Sequence, residues 1–397
     1  MSQMWVPFIG PQSPGALRGQ EISPRAPVAL VLRALPRELS NVKASALAAA
    51  GAAAGTAAAR HCVARRARRG QNLQNPFLSG GKTVCRATTA APVEILPIPA
   101  KGFGAIATRD IARGELVLEE RPTITYQAGS DWPTSLQQQF DRLPVSSQTA
   151  VMELCDATPD EKGLKGVFDT NSIGCSSPTL DGVLCLSVSR INHSCLPNCE
   201  QFWDEQMFRE KIFACKDIQK GEELSISYVE PYLLAEERND VFRRRYAFQC
   251  NCAACSSQSR EASDRRRRRL GEMLAELGRG VSPDADAGVA LAKELLQLCD
   301  EEGLALQGFR AQACYHAFQC LLLAGRGQDE AAPWLRRARE SLEATRGAGD
   351  PDVEALRGYE ADPLSHPAAS DQATQLSGLA GPALAAAAAA AALYFFR

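Results

Sequence analysis

The sequence predicts an α+β protein in which a region of short β-strands precedes an all-helical region. The first observation is a series of short β-like segments, separated by turn residues, between Val93 and Tyr228. The second is a change of period after Cys255, where apolar residues recur at helical spacing. A chain of 397 residues has room for both regions and an ample core. The helical spacing begins with Leu270, Met273, Leu274 and Leu277.

The composition is that of a globular protein, because 45% of the residues are hydrophobic and 23% are charged. The formal net charge of −2 excludes a chain that is as a whole a polycation built to hold nucleic acid. The charge is uneven, since residues 1–93 carry 12 Lys and Arg but only two acidic residues. The 14 cysteines form no evenly spaced framework, which favours reduced thiols, some of them binding metal, over disulfides.

Residues 1–91 are interpreted as a disordered, basic, Ala- and Arg-rich leader, because such a composition cannot bury a core. Ala44–Ala59 is low in complexity, and Arg65–Arg69 adds a run of positive charge. This profile is typical of an organelle transit peptide and would direct the chain to a plastid or mitochondrion. The alternative is a basic extension without an address, in which case the chain would lie in the nucleus or cytoplasm.

Residues 92–256 are predicted to form the β-rich domain, and Gly102-Phe103-Gly104 marks one of its turns. An insert at 127–182 is predicted to contain two helical stretches, Thr134–Asp141 and Ser147–Cys155. The predicted strands are Val93–Ile98, Ala105–Thr108, Glu115–Glu119, Gly182–Ser189, Met207–Ala214 and Glu223–Tyr228.

Residues 262–362 are predicted to form helical hairpins, because amphipathic segments alternate with turns at Gly325–Gly327 and Gly347–Pro351. The pairs resemble tetratricopeptide-like hairpins, although the chain lacks a clean self-similarity at the period of about 34 residues. Residues 363–397 are predicted to be a linker and an Ala-rich apolar tail. Leu376–Phe396 is long enough for a membrane span, but its polyalanine favours a helical tail over a membrane anchor.

A cluster of three cysteines, Cys250, Cys252 and Cys255, could bring three thiolates to one tetrahedral ion. Structural zinc takes four ligands, and Cys195 is the best candidate for the fourth because its neighbours demand a fixed position. Four cysteine ligands leave no open position for water, so the zinc would be structural and a zinc hydrolase is disfavoured. The alternative is that these four are ordinary reduced cysteines.

Taken in order, four motifs resemble those of SET-domain protein lysine methyltransferases with a post-SET zinc loop. The stretch between Tyr228 and Cys255 is most similar to the SMYD type, which also carries a helical C-terminal domain. The resemblance covers residues 92–256 strongly and 262–362 loosely. The motifs are Gly102-Phe103-Gly104, Asn192-His193-Ser194-Cys195-Leu196-Pro197-Asn198, Gly221-Glu222-Glu223-Leu224-Ser225-Ile226-Ser227-Tyr228 and Cys250-Asn251-Cys252-Ala253-Ala254-Cys255.

One departure from the SMYD pattern concerns the insert at 127–182. SMYD proteins insert a MYND zinc finger within the SET domain, whereas this insert holds only Cys155 and Cys175. Two cysteines are too few for the two zinc sites of such a finger. We therefore expect a SMYD-like chain without the MYND finger and without partner recruitment through it.

The resemblance implies a SET β-clip fold in which Asn192–Pro197 and Glu223–Tyr228 thread past each other in a pseudoknot. It also implies S-adenosylmethionine as the cofactor and a lysine of a protein substrate as the methyl acceptor. Tyr228 would orient the methyl group and the incoming amine, and Tyr246 would line the lysine channel. The residues that the resemblance places at the cofactor are Gly102, Phe103, Gly104, Asn192, His193 and Phe248, the last by stacking on adenine.

Simpler interpretations exist for several of these side chains. A lone buried histidine such as His193 is usually a hydrogen-bonded core residue, and Tyr228 and Phe248 could be core as well. The pair Glu222-Glu223 is interpreted as a turn residue and a backbone cap rather than an acid/base dyad. The run Arg265–Arg269 could contact nucleic acid or act as a nuclear signal, but a solvated helix start or linker is favoured.

The favoured function is S-adenosylmethionine-dependent protein lysine N-methylation of histones or other proteins. The alternative is a catalytically weak SET-like scaffold that binds protein partners through its helical domain. The chain is expected to be a monomer that binds a protein substrate and does not bind nucleic acid directly. Membrane contact would arise only through the C-terminal tail.

Overall fold

The structure is a computed structural model that describes residues 92–127, 131–157, 163–175, 177, 180–256, 260–367 and 369. The predicted leader at 1–91 and the predicted apolar tail at Leu376–Phe396 lie outside these residues. Within the described ranges, no helix combines the length and the apolar character needed to cross a membrane.

The strands of the described chain are short and form four small sheets. They are β1 (Val93–Ile98), β2 (Gly102–Ala107), β3 (Leu116–Glu120), β4 (Ile124–Tyr126), β5 (Gly182–Leu184), β6 (Asn192–His193), β7 (Cys199–Asp204), β8 (Arg209–Ala214) and β9 (Ser225–Ile226). Strands β1 and β2 pair antiparallel, as do β4 and β5. The largest sheet is antiparallel with β8 between β3 and β7. Only β6 and β9 pair in parallel within these sheets.

The helices fall into three groups along the described chain. Three lie between β4 and β5, two lie between β9 and the C-terminal part, and five form the C-terminal part. They are α1 (Trp132–Asp141), α2 (Val145–Met152), α3 (Leu164–Asn171), α4 (Ala235–Tyr246), α5 (Ala253–Ser256), α6 (Arg260–Leu277), α7 (Ala285–Glu302), α8 (Gln307–Leu323), α9 (Gln328–Arg346) and α10 (Pro351–Ala361). The predicted α+β order, short strands followed by helices, is confirmed.

Six described elements were not predicted from local sequence, namely β4, β6, β7, α3, α4 and α5. Two of them, β7 and α3, show how tertiary contacts decide the conformation. Strand β7 follows directly on Pro197-Asn198 and contains polar residues, but it pairs along its whole length with β8. Helix α3 contains residues of low helix propensity, yet Val167 and Phe168 are fully buried in a local core. Burial of one face therefore decides the conformation of α3, as it does for most short helices in proteins.

The C-terminal helices α6–α10 share one apolar core. Helix α7 ends at Gly303, whose φ of +72° is the left-handed conformation that glycine adopts most easily. The core extends beyond the predicted domain limit at 362. His366 is buried, and its Nε2 lies 2.8 Å from the hydroxyl oxygen of Tyr315. The segment directly after α10 is thus packed against the helices rather than acting as a linker from 363 onward.

The strand region (residues 92–256) and the helical region (260–369) share a buried interface. Helix α9 packs on β7 and β8, and the Arg346 guanidinium lies 5.0 Å from the centre of the Phe202 ring. The carboxylate of Glu200 accepts hydrogen bonds from the backbone N–H groups of Gln307 (2.6 Å) and Gly308 (3.0 Å). An acceptor at these positions satisfies N–H groups that the first turn of α8 leaves without a helical partner.

Glu210 is a buried acid in the central strand β8. Its side chain is 1% exposed, and its Oε2 has no hydrogen-bond partner among the described residues. Burial raises the pKa of Glu210 to about 8. The unfolded chain, with an ordinary pKa near 4.5, releases this proton near pH 4.5. Between about pH 4.5 and pH 8 the folded chain still keeps it on Glu210. The stabilising effect of this proton is complete below pH 4.5 and is lost as the pH rises toward 8.

We expect Glu210→Gln to be neutral at pH 5 and stabilising at pH 8, by about 3 kcal/mol, because the amide cannot ionise. Thermal melting of both proteins between pH 5 and pH 8 measures the difference. The exposed Glu94, in β1, provides the matched control, since Glu94→Gln should give no pH-dependent difference. A variant whose advantage over the natural protein is the same at pH 5 and pH 8 would contradict the assignment.

Candidate active site and metal centre

Two distant segments of the chain lie side by side in the site. Strands β6 and β9 pair in parallel, and the Ser194 N–H donates to the Ile226 carbonyl at 3.0 Å. The buried Asn198 holds the second segment, because its Oδ1 accepts from the Ser225 N–H at 2.8 Å and its Nδ2 donates to the Glu223 carbonyl at 3.0 Å. These contacts explain why an asparagine follows the proline of the motif.

Tyr228 lies two residues after β9, at the junction of the two segments. Its hydroxyl donates to the Ile191 carbonyl at 2.7 Å, and its backbone N–H donates to Nδ1 of His193 at 3.0 Å. The Tyr228 and Tyr246 rings approach to 5.1 Å between centroids, so the structure brings together the two tyrosines that the sequence singled out. Both ends of the Tyr228 residue are therefore fixed by the neighbouring segment.

The His193 ring connects Tyr228 to the cysteine cluster. Because Nδ1 accepts a hydrogen bond from the Tyr228 N–H, the proton of the neutral ring belongs on Nε2. That nitrogen lies 3.2 Å from Sγ of Cys195. The ring also packs 4.3 Å from Phe242. Both ring nitrogens are thus used inside the protein, so any contact of His193 with a cofactor would come from its backbone.

The four cysteines singled out in the sequence come together. The Sγ atoms of Cys195, Cys250, Cys252 and Cys255 all lie within 4.8 Å of one another. Sγ of Cys195 lies 3.9 Å from that of Cys250 and 3.5 Å from that of Cys255. Tetrahedral zinc with Zn–S bonds of about 2.3 Å separates its sulfurs by about 3.8 Å, so the arrangement fits this metal. Hydrogen bonding within the cluster lowers the pKa of Cys252 and Cys255 and raises the pKa of Cys195, so the four thiols share their protons.

Two buried arginines lie beside the cysteine cluster. Nη2 of Arg238 is 3.9 Å from Sγ of Cys255, and Nη1 of Arg238 donates to the Leu233 carbonyl. Arg267, in α6 of the helical region, is 0% exposed. Its Nη2 donates to the Cys195 carbonyl at 3.0 Å, and its Nη1 donates to the Pro231 carbonyl. The helical region therefore contacts the backbone of one of the four cysteines directly.

The interpretation of Arg265–Arg269 as a solvated run is wrong for Arg267. The Nε of Arg267 donates to Oε1 of the buried Glu302 at 2.7 Å, and Arg266 pairs with the other oxygen of Glu302 at 2.7 Å. The apolar face of α6 continues to position 267, three residues before the buried Leu270. That helical spacing was the available signal, but an arginine at a core position is rare unless a partner such as Glu302 is known.

The two glycines of the Gly102-Phe103-Gly104 turn are needed for different structural reasons. Gly102 has a φ of +76° and open space where a side chain would be, whereas a Cβ on Gly104 would overlap Cδ1 of Ile98 and lie 2.8 Å from Nδ2 of Asn192. Gly104 therefore makes room for a neighbouring side chain of the protein itself. The Phe103 ring is 47% exposed, with the Arg190 guanidinium 4.8 Å from its centre.

Glu223 was interpreted as a backbone cap, and the structure gives it a different role. Glu222 does cap a turn, since it accepts from the Gln219 N–H at 2.6 Å. Glu223 instead accepts from Nδ2 of Asn192 at 2.8 Å and from Nζ of Lys101 at 2.6 Å. Nothing in the local sequence signals these contacts, because Lys101 is 122 positions away.

Phe248 follows α4 and lies among other rings rather than alone. Its ring stacks on Phe242 at 5.0 Å with an interplanar angle of 15° and is 6.2 Å from the Tyr246 ring. One face of Phe248 is therefore packed inside the protein. Its predicted stacking on adenine stays a prediction.

The sequence is similar to that of a known domain and to those of several known proteins. A model of the SET domain matches residues 102–229. The histone-lysine N-methyltransferase set5 of Schizosaccharomyces pombe is 30% identical over 184 residues, which are 45% of this chain and 55% of that protein. Human SMYD3, a histone-lysine N-methyltransferase, is 38% identical over 76 residues, 19% of this chain and 17% of SMYD3. Chicken SMYD5, a protein-lysine N-trimethyltransferase, is 37% identical over 71 residues, 17% of each chain.

The chain thus carries a SET domain and is SMYD-like in this region, as the motifs predicted. It spans about half the length of set5 and less than a fifth of the two SMYD proteins. The absence of a MYND finger stays a prediction, because parts of 127–182 lie outside the described residues.

Proposed function

We propose that the SET domain of this chain catalyses S-adenosylmethionine-dependent N-methylation of lysine in a protein substrate. The observation that carries the proposal is the position of Tyr228, whose hydroxyl and backbone are both fixed where β6 and β9 meet. The names of set5, SMYD3 and SMYD5 support this reaction class. Histones are the first candidate substrate, because two of these three relatives are named for them.

The cofactor would supply an electrophilic methyl group on a sulfonium. Asn192, Gly102 and Phe103 would hold it, since Oδ1 of Asn192 has no hydrogen-bond partner in the described chain and Gly102 borders open space. The Tyr228 hydroxyl donates its proton to the Ile191 carbonyl, which fixes the direction in which its oxygen can act as an acceptor. A fixed acceptor can orient an incoming amine, and positioning of this kind lowers the barrier by several kcal/mol.

A zinc ion at Cys195, Cys250, Cys252 and Cys255 would be structural. Four thiolates complete a tetrahedral shell and leave no position for water or substrate. The cluster lies next to His193, which in turn accepts from the Tyr228 N–H. The metal would therefore hold the catalytic segment in place without contacting the reacting atoms.

Tyr228→Phe tests the catalytic assignment. We expect the full-length variant to bind S-adenosylhomocysteine as the natural protein does but to lose about 100-fold in kcat, since a preorganised polar group is removed. Calorimetry measures binding, and transfer of a labelled methyl group to purified core histones measures the rate. Tyr232→Phe is the control, because Tyr232 packs against Gly271 of the helical region. Full activity of Tyr228→Phe would remove Tyr228 from the reaction.

The scaffold alternative predicts a different first measurement. If the zinc-loaded natural protein does not bind S-adenosylhomocysteine, the enzyme proposal fails and a partner-binding role is favoured. If it binds but does not methylate histones, the reaction class stands and the substrate is another protein. We propose an organelle protein in that second case, because the basic leader has the composition of a transit peptide. Imaging the tagged chain with and without residues 1–91 tests this.

A further inference from the structure

We infer that Glu223 is a positioning residue that orients the side-chain amide of Asn192, so that Oδ1 of Asn192 is the acceptor for the ammonium group of the cofactor. The inference rests on the proposed function and deepens it. It concerns one hydrogen-bonded chain of groups, from Lys101 through Glu223 to Asn192, at the edge of the β6–β9 pair.

The hydrogen bonds of Asn192 leave the amide only one open group. Nδ2 donates one hydrogen to the Phe103 carbonyl at 3.1 Å and the other to Oε1 of Glu223 at 2.8 Å. An amide nitrogen has two hydrogens, so its donor capacity is used completely. Oδ1 has no partner in the described part of the chain and can only accept. A ligand group that meets Asn192 must therefore be a donor.

Glu223 is what prevents the reversed amide orientation. Turning the amide over would place Oδ1 against the Phe103 carbonyl and the Glu223 carboxylate, which are both acceptors. Lys101 fixes the carboxylate of Glu223, because Nζ of Lys101 donates to Oε2 at 2.6 Å. The other oxygen, Oε1, accepts the hydrogen bond from Nδ2 of Asn192. Two acceptors on one side thus hold the amide with its oxygen outward.

The chemistry of the cofactor gives this orientation its use. The amino-acid end of S-adenosylmethionine or S-adenosylhomocysteine carries one ammonium, which can only donate, and one carboxylate, which can only accept. An outward Oδ1 favours the ammonium, and an outward Nδ2 would favour the carboxylate. Hydrogen bonds to a charged group are stronger than those between neutral groups, so the orientation should be visible as a change of about tenfold in Kd.

The test compares two ligands on the full-length, zinc-loaded chain. Calorimetry measures the Kd of S-adenosylhomocysteine and of its analogue with hydrogen in place of the α-amino group. We expect Glu223→Gln to weaken S-adenosylhomocysteine about tenfold and the des-amino analogue less than twofold. Asn192→Ala should show the same selectivity. Adding Glu223→Gln to Asn192→Ala should then have no further effect, because both act through one amide.

Several outcomes would overturn the inference. Equal losses for both ligands, or additive effects of the two substitutions, would mean that Glu223 does not act through the ammonium contact. Glu222→Gln is the matched control and should bind both ligands as the natural protein does. If Glu223→Gln does not fold, Lys101→Met carries the same comparison, with an expected threefold selective loss. Failure of the natural protein to bind S-adenosylhomocysteine would instead reject the proposed function.

Discussion

Replacing Cys195 by serine is expected to remove the metal and to destabilise the full-length protein by more than about 4 kcal/mol. Cys195 is 1% exposed and is the only member of the cysteine cluster that comes from the β6 segment. Its loss would leave the metal ion with three of its four ligands. It would also disconnect the Cys250–Cys255 loop from the segment that contains β6. We expect the zinc content to fall from one ion per chain to nearly none and the Tm to fall by about 10 °C or more.

Zinc content is measured with a chromophoric chelator after unfolding, and stability is measured by thermal melting. Cys155→Ser is the matched control, because Cys155 is an exposed cysteine outside the cluster. It should keep both the metal and the Tm. A Cys195→Ser protein that still holds one zinc per chain would show that the ligand set is wrong.

Arg267→Met is expected to be the most destabilising change at the interface between the two regions. Arg238, Arg266 and Arg267 carry two more positive charges than Glu302 neutralises, and a zinc ion with four thiolates carries a net charge of −2. Methionine would fill the volume but would leave the Cys195 and Pro231 carbonyls without their donor. Breaking one partner of such a buried set costs about 3–5 kcal/mol.

Arg268→Met provides the comparison, since Arg268 is exposed and lies about 100° further around the same helix turn. We expect a Tm decrease of several degrees for Arg267→Met only, together with faster loss of zinc to a chelator. Equal Tm values for the two variants would mean that Arg267 is not important for docking of the helical region.

The sequence was most informative where chemistry depends on residue type and short spacing. Three cysteines within six positions and the Asn-His pair were visible without any structure, because few other patterns place so many ligand groups together. Helical spacing at Leu270, Met273 and Leu277 also predicted a buried face correctly. Short strands such as Ser225–Ile226 could be placed only approximately, because two residues carry too little periodicity.

The contacts that the sequence could not predict are those between distant polar side chains. Lys101, Asn192 and Glu223 meet because β2, β6 and β9 come together, and each of the three is an ordinary surface residue by type. Arg267 is similar, since its partner Glu302 lies in another helix. In both cases only the tertiary structure supplies the partner, and for Arg267 that partner is what makes burial of the charge favourable.

The hydrogen bonds between Glu200 and the start of α8 have a practical consequence for the choice of truncation sites. A protein truncated near residue 256 would leave this carboxylate, together with the β7–β8 surface, facing water without its cover. Expression of a minimal catalytic fragment should therefore retain everything up to residue 369, because the boundary between strands and helices is not a place where the polypeptide can be cut.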